Sequence, residues 1–261
     1  MQTVSHISVT LIFMGAVQGI FFALLLLSIR EGRGLSNRIL AALLFAASAG
    51  FISVLCIIIS ENQSLIRLFR LLMSMIVGCI PLLFLYVRAL TVRKFKFSMK
   101  SFTHFLPVVL VVSCQMIFGA PEYDLAYALS LEALDHMSVI AVMGILYAPP
   151  YLLSIYVLMK SHSYNTAELY RKNKTISRTV IYELSVYVWV RTILIACSVY
   201  WTLSIVFFFF HDIAECYSII PVISSAMIFI LGFLGLRNPG MFYLPDTLHN
   251  EHKPGRGGGK K

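Results

Sequence analysis

The sequence predicts an all-α membrane protein: a bundle of seven transmembrane helices, with the N-terminus outside the cytoplasm and the C-terminus inside. Three observations predict it. Of 261 residues, 59% are hydrophobic and only 13% are charged, against roughly 25% charged in an ordinary soluble domain. Seven apolar runs approach or exceed the roughly 18 residues that carry a helix through the hydrocarbon core. The basic residues fall in alternate connections, as they do when Lys and Arg are retained on the cytoplasmic side. Helices are required because an open sheet edge in lipid leaves backbone polar groups unpaired, and the runs lack barrel-like alternation.

The first run, Val4 to Ile29, has no Lys or Arg before Arg30. It lacks the basic n-region of a signal peptide and is expected to remain as a helix. Within it, Gly15-Ala-Val-Gln-Gly19 puts two glycines four apart, on one face that another backbone can approach closely. That face serves packing inside the bundle or contact with a second copy in a homodimer. Gln18 lies beside it and needs a hydrogen-bond partner in lipid. The second run is Ile39 to Ser60 and the third Leu65 to Val87. The fourth, Phe102 to Ala120, is the weakest and opens around His104. The fifth, Met137 to Met159, contains Pro149 and Pro150; the sixth, Leu184 to Phe210, contains Arg191; the seventh is Tyr217 to Leu236. Pro81, Pro107 and Pro221 also lie in or beside spans. Each proline frees a carbonyl and favours a kink, used as a static bend or as a hinge.

The connections separate by charge. One side holds Arg30, Arg33, Arg38, Arg88, Arg93, Lys94, Lys96, Lys100, Lys160, Arg171, Lys172, Lys174, Arg178, Arg237, Lys253, Arg256, Lys260 and Lys261, which is 18 of the 21 basic residues. The other has Arg67 and Arg70, with Glu61, Glu122, Asp124, Glu132, Asp135, Asp212 and Glu215. The net charge of +9 is therefore a topology signal. Spread over four juxtamembrane segments, it does not form the single basic face of a nucleic-acid binder. The chain divides into a membrane domain, residues 1–243, and a tail, residues 244–261, whose polar, Gly-rich composition predicts disorder. The segment Lys160 to Arg178 reads as a solvated connector near anionic lipid. The segment Pro121 to His136 could form a short interfacial helix over the outer mouth.

Two groups of residues are candidates for binding. Arg191 is the only basic residue well inside a span, and a charge there costs about 2.5 kcal/mol or more on insertion scales unless it is paired, snorkels or serves a ligand. Glu183, two turns away on roughly the same sector, is its candidate partner, or the two belong to a pocket for an anionic group. At the outer ends of the last three spans stand Glu132, Asp135, His136, His211, Asp212 and Glu215. These types can bind an external cation or metal, or titrate with external pH. Acidic residues on that side also follow from topology alone, and the metal remains unspecified. Four of the five cysteines, Cys56, Cys79, Cys114 and Cys197, lie inside spans, and Cys216 sits alone at the outer end. No disulfide framework or CxxC metal pattern follows.

Several classes are disfavoured. No Lys lies within a span, so a retinal Schiff base has no attachment point. HExxH, GxSxG and phosphate-loop patterns are missing, which argues against an enzyme, and no cofactor is expected. A transporter or channel is the first alternative, but it calls for internal repeats that are not evident. A membrane enzyme with dispersed catalytic residues is the second.

Gly15-Ala-Val-Gln-Gly19 with its Leu run, Asn37-Arg38-Ile39-Leu40, Pro81-Leu-Leu-Phe-Leu-Tyr-Val-Arg88-Ala-Leu-Thr91, His104-Phe-Leu-Pro107 and Leu234-Gly-Leu-Arg237-Asn-Pro239 followed by Phe242 form an ordered set. Together, over about residues 11 to 243, the chain resembles the multi-span N-terminal domain of bacterial AraC-type transcriptional regulators. The resemblance implies a sensor in the bacterial inner membrane that passes an unknown external signal to a cytoplasmic helix-turn-helix module. After Tyr243 only 18 residues remain, whereas such a module needs on the order of 100. Direct sequence-specific DNA binding by these residues is not expected, and the output module is sought in a partner or a longer form of the chain.

Overall fold

The computed structural model describes residues 6–29, 34–60, 62–92, 95–118, 136–173, 178–210 and 213–237. Every regular element among them is helical. In chain order these are α1 (His6–Ser28), α2 (Gly34–Ile59), α3 (Gln63–Met73), a 3-10 segment (Ser74–Gly78), α4 (Cys79–Thr91), a second 3-10 segment (Met99–Phe105), α5 (Leu106–Phe118), α6 (His136–Asn173), α7 (Arg178–Phe210) and α8 (Ile213–Arg237). Because the 3-10 segments run directly into their neighbours, the described residues form seven continuous helical rods.

The interruptions have local causes. Asn62 caps α3, its side-chain carbonyl accepting from the backbone N–H groups of Ser64 at 2.9 Å and Leu65 at 3.4 Å. The tightened Ser74–Gly78 turn lies just before Pro81, whose ring opposes the carbonyl of Val77 four residues back and removes its usual donor. Pro107 is tolerated because it stands in the first turn of α5, where its missing N–H has no intrahelical role.

Length is the main departure from expectation. The connector expected from Lys160 to Arg178 is largely helix: α6 runs unbroken through Asn173, and α7 begins at Arg178. Hydropathy marks where lipid ends, not where a helix ends, and extending an established helix through Ala167, Glu168 and Leu169 needs no new nucleus. At 38 and 33 residues, α6 and α7 are about 57 and 50 Å long, well beyond a hydrocarbon core of roughly 30 Å.

Four stretches among the described residues are long and apolar enough to cross a membrane: His6–Ser28, Gly34–Ile57, Leu71–Thr91 and Ile181–Val206. Met99–Cys114 and Ile220–Leu234 are shorter apolar helices. Large apolar side chains cover the exterior, Phe13, Phe21, Leu146, Val157, Ile230 and Phe233 among them. A soluble monomer rarely exposes so much contiguous apolar surface; a bundle solvated by lipid does.

α1 packs between α2 and α8, α4 lies between α2 and α6, and α6 pairs with α7. The largest core cluster joins Ile39 of α2, Leu85, Tyr86 and Leu90 of α4, Ile155 and Met159 of α6, and Tyr182, Val186, Trp189 and Val190 of α7. These positions fall where the basic connections begin or end, so this core occupies the basic end of the bundle. A smaller cluster of Ile12, Ala16, Phe51, Leu55 and Ile228 fills the space towards the opposite end.

Candidate functional site

Polar chemistry is concentrated in three places. The first is the seam along α1. The glycines of the Gly15-to-Gly19 motif do pack inside the bundle: a methyl on Gly15 would overlap the Ser225 side chain and lie 3.0 Å from its Cα, and one on Gly19 would overlap Ser48 Oγ. Ser53 and Ser224 satisfy their hydroxyls on the carbonyls of Ala49 and Ile220 at 2.7 and 2.8 Å. Ser48 and Ser225, by contrast, are fully buried with no hydrogen-bond partner. Their oxygens fill the space beside the glycines, where a Cα–H is the available weak donor.

Gln18 stands at the edge of this seam, and its Oε1 is buried without a hydrogen-bond partner, as is Trp201 Nε1 on α7. One is an acceptor and the other a donor. Next to Trp201 in sequence, the Tyr200 hydroxyl lies in electrostatic range of Ser224, Ser204, Cys79 and Cys197. The interior at mid-depth is therefore polar as well as tightly packed.

The second place is the basic end. Trp189 Nε1 donates to Tyr86 Oη at 2.9 Å, both side chains being buried. One to two turns further along, His162 Nε2 lies 3.4 Å from Glu183 Oε2 and 3.3 Å from the Glu183 carbonyl oxygen. His162 and Glu183 are 8% and 6% exposed, so this contact fastens α6 to α7 where apolar packing gives way to the basic extension.

The third place joins α4, α5 and α6. His104 Nδ1 is 2.9 Å from Tyr151 Oη, Tyr151 Oη is 2.9 Å from Tyr147 Oη, and Tyr147 Oη donates to the His104 carbonyl. The Phe84 ring stands 5.1 Å from the imidazole and 5.4 Å from the Tyr151 ring, centroid to centroid. Arg88, one turn beyond Phe84 on α4, acts electrostatically on His104 and sits over the Phe95 ring at 5.4 Å.

The sequence candidates distribute unevenly over this interior. Gln18 is half-buried, with its Oε1 buried and without a hydrogen-bond partner. The pairing of Glu183 with Arg191 is not formed: Arg191 is exposed, and Glu183 turns inward to His162. Eight residues along a helix leave the two about 80° apart around the axis, enough to put one in the core and the other outside. Glu132, Asp135, His211 and Asp212 lie outside the described residues, as do the side chains of His136 and Glu215. No group of three metal-ligating residues occurs among the described ones. The residues that sequence reasoning missed, His162, Tyr147, Tyr151 and the polar role of Trp201, are single polar side chains in apolar runs. Only the expectation that a buried polar group needs a partner could have pointed to them.

The chain matches no family model, no curated protein and no solved structure.

Proposed function

We propose that the chain is a seven-span sensory membrane domain of the bacterial inner membrane, N-terminus outside and C-terminus inside, similar in role to the membrane domain of AraC-type regulators. Its output passes to a cytoplasmic helix-turn-helix module supplied by a partner or a longer form of the chain. The observation that carries this reading is the continuity of α7. One unbroken helix bears an unpartnered buried donor, Trp201, at about 34 Å from its first residue, and the clamped Glu183 beside the basic extension.

A small polar ligand that supplies an acceptor to Trp201, or a donor to Gln18, gains charge-free hydrogen bonds in a low-dielectric interior, where unmet groups are costly. Binding at Trp201 acts on α7 directly, and α7 carries that bias to His162 and Glu183. The external acidic and histidine residues remain the alternative entry for a cation or pH signal.

Two measurements test the reading. Reporter fusions after residues 35, 97, 170 and 245 behave as cytoplasmic and those after 125 and 213 as external; a cytoplasmic result after 125 breaks the topology. With a DNA-binding module fused at the C-terminus, Gln18→Leu and Trp201→Phe abolish or lock the reporter response while the protein stays in the membrane. A response unchanged in both variants removes the interior from consideration and moves the signal to the outer residues, where His136→Ala with His211→Ala is decisive. The unfused chain binds duplex DNA weakly, without sequence preference and with steep salt dependence.

A further inference from the structure

The His104 cluster contains a proton count that fixes its chemistry. Tyr147 uses its single hydroxyl proton on the His104 carbonyl, which can only accept. The proton between the two phenol oxygens, 2.9 Å apart, therefore comes from Tyr151. Tyr151 then has none left for the imidazole, so the 2.9 Å contact with His104 is an Nδ1–H donating to Tyr151 Oη. Three contacts take three protons in a closed cycle, and the neutral imidazole is held as the Nδ1–H tautomer, with Nε2 a bare acceptor.

Beside this acceptor lies a cation of unusual freedom. Among the described residues Arg88 is in no ion pair; its guanidinium lies 5.4 Å from the centre of the Phe95 ring and acts electrostatically on His104. Phe84 and Arg88 are four apart on α4 and share a face, so the Arg88 backbone stands about one helical turn, roughly 5.4 Å, beyond that of Phe84. His104, Phe84, Arg88, Tyr147 and Tyr151 are all half-buried, and the flanking Phe102 and Leu106 are 56% and 59% exposed. The cluster opens onto the surface that faces lipid, with the exposed Lys96 and Lys100 a few residues before His104 in the chain, at the depth of headgroups and glycerol if the basic end is cytoplasmic.

We infer that the half-buried surface where α4, the Met99–Phe105 segment and α6 meet binds the headgroup of an inner-leaflet phosphatidylethanolamine, its phosphate on Arg88 and its ammonium donating to His104 Nε2 beside the Phe84 ring. An imidazole acceptor and a cation within electrostatic range of it complement a zwitterion whose charges are separated by a two-carbon link. A glycerol headgroup offers Nε2 only a neutral hydroxyl, a weaker donor than an ammonium, and a trimethylammonium has no N–H to give it. The leaflet assignment rests on the proposed topology; the headgroup preference does not.

The test is native mass spectrometry of the full chain in detergent, titrated in turn with phosphatidylethanolamine, phosphatidylcholine, phosphatidylglycerol and water-soluble phosphoethanolamine. Phosphatidylethanolamine binds about tenfold more tightly than phosphatidylcholine, the worth of one charge-assisted hydrogen bond. Arg88→Gln weakens all three lipids, and His104→Phe erases only the preference for ethanolamine. Tyr147→Phe opens the cycle, allows Tyr151 to donate to Nδ1, and lowers that preference while leaving phosphatidylglycerol binding intact. Nitrogen-15 spectra of His104 show a protonated Nδ1 and a pyridine-like Nε2, which become mixed in the Tyr147 variant. Equal binding of the ethanolamine and choline lipids, competition by phosphoethanolamine as strong as by the lipid, or a protonated Nε2 in the neutral wild-type imidazole each overturns the assignment. A reversed topology in the fusion experiment moves the site to the other leaflet without altering any of these readouts.

Discussion

The seam along α1 and the core at the basic end hold helices together by opposite means. Along the seam, α1 approaches α2 and α8 so closely that Gly15 and Gly19 have no room for a methyl, and the serines facing them make no ordinary hydrogen bond. At the basic end, large side chains interlock, and polar ones are joined across helices, Trp189 to Tyr86 and His162 to Glu183. Lipid supplies little hydrophobic drive between helices, so close backbone approach and polar contacts must supply it. The seam gains from shape alone and tolerates no added volume. The basic end gains from specific partners and tolerates no lost one.

Substitutions that separate these modes should differ in kind, and the largest effect is expected at the buried pair. His162→Ala removes the imidazole contact from the buried Glu183 carboxyl, and destabilisation of up to about 3 kcal/mol is expected. Replacing both residues by Leu costs less, because the carboxyl that needs the contact is gone with its partner. A double variant as unstable as the single one shows that volume, not pairing, governs this end. Next, Gly15→Ala costs about 1 to 3 kcal/mol by overpacking, and Ser225→Gly, which empties the space the methyl needs, restores most of it. Lack of rescue places the strain elsewhere. Trp189→Phe keeps the ring and removes the donor to Tyr86, a loss of about 1 kcal/mol. Smallest is Arg191→Leu, which, on an exposed position outside the core, changes folding stability by less than about 0.5 kcal/mol. Chemical unfolding in mild detergent, followed by tryptophan fluorescence, reads all four; for the Trp189 variant, circular dichroism replaces fluorescence.

The α1 motif was legible because close approach needs a particular residue at a particular spacing, and Gly15 and Gly19 announce it within five residues. The helical, lipid-facing character was legible for the same reason, since each apolar run declares itself locally. Glu183 shows where this ends. Its nearest charge on its own helix sector was Arg191, yet its partner comes from 21 residues away on α6, and no periodicity along one helix records which neighbour it faces. The His104 and Tyr151 contact spans 47 residues and depends on how α5 and α6 cross. The overhang of α6 was hidden differently: its polar composition matched a loop, and only continuity with the preceding helix makes it a rod.

That overhang has a mechanical meaning. From Pro150, where the helix lacks two consecutive backbone donors, to Asn173 at its tip, α6 extends for about 35 Å. A bend of about 10° at the prolines swings the tip sideways by roughly 6 Å, about one helical pitch. The same bend moves the ring of Tyr151, next to the pivot, by a small fraction of that. α6 is thus a lever with its short arm on the His136 side of the prolines and its long arm towards the basic end, where displacements too small to disturb the packed interior become displacements as large as a helix turn.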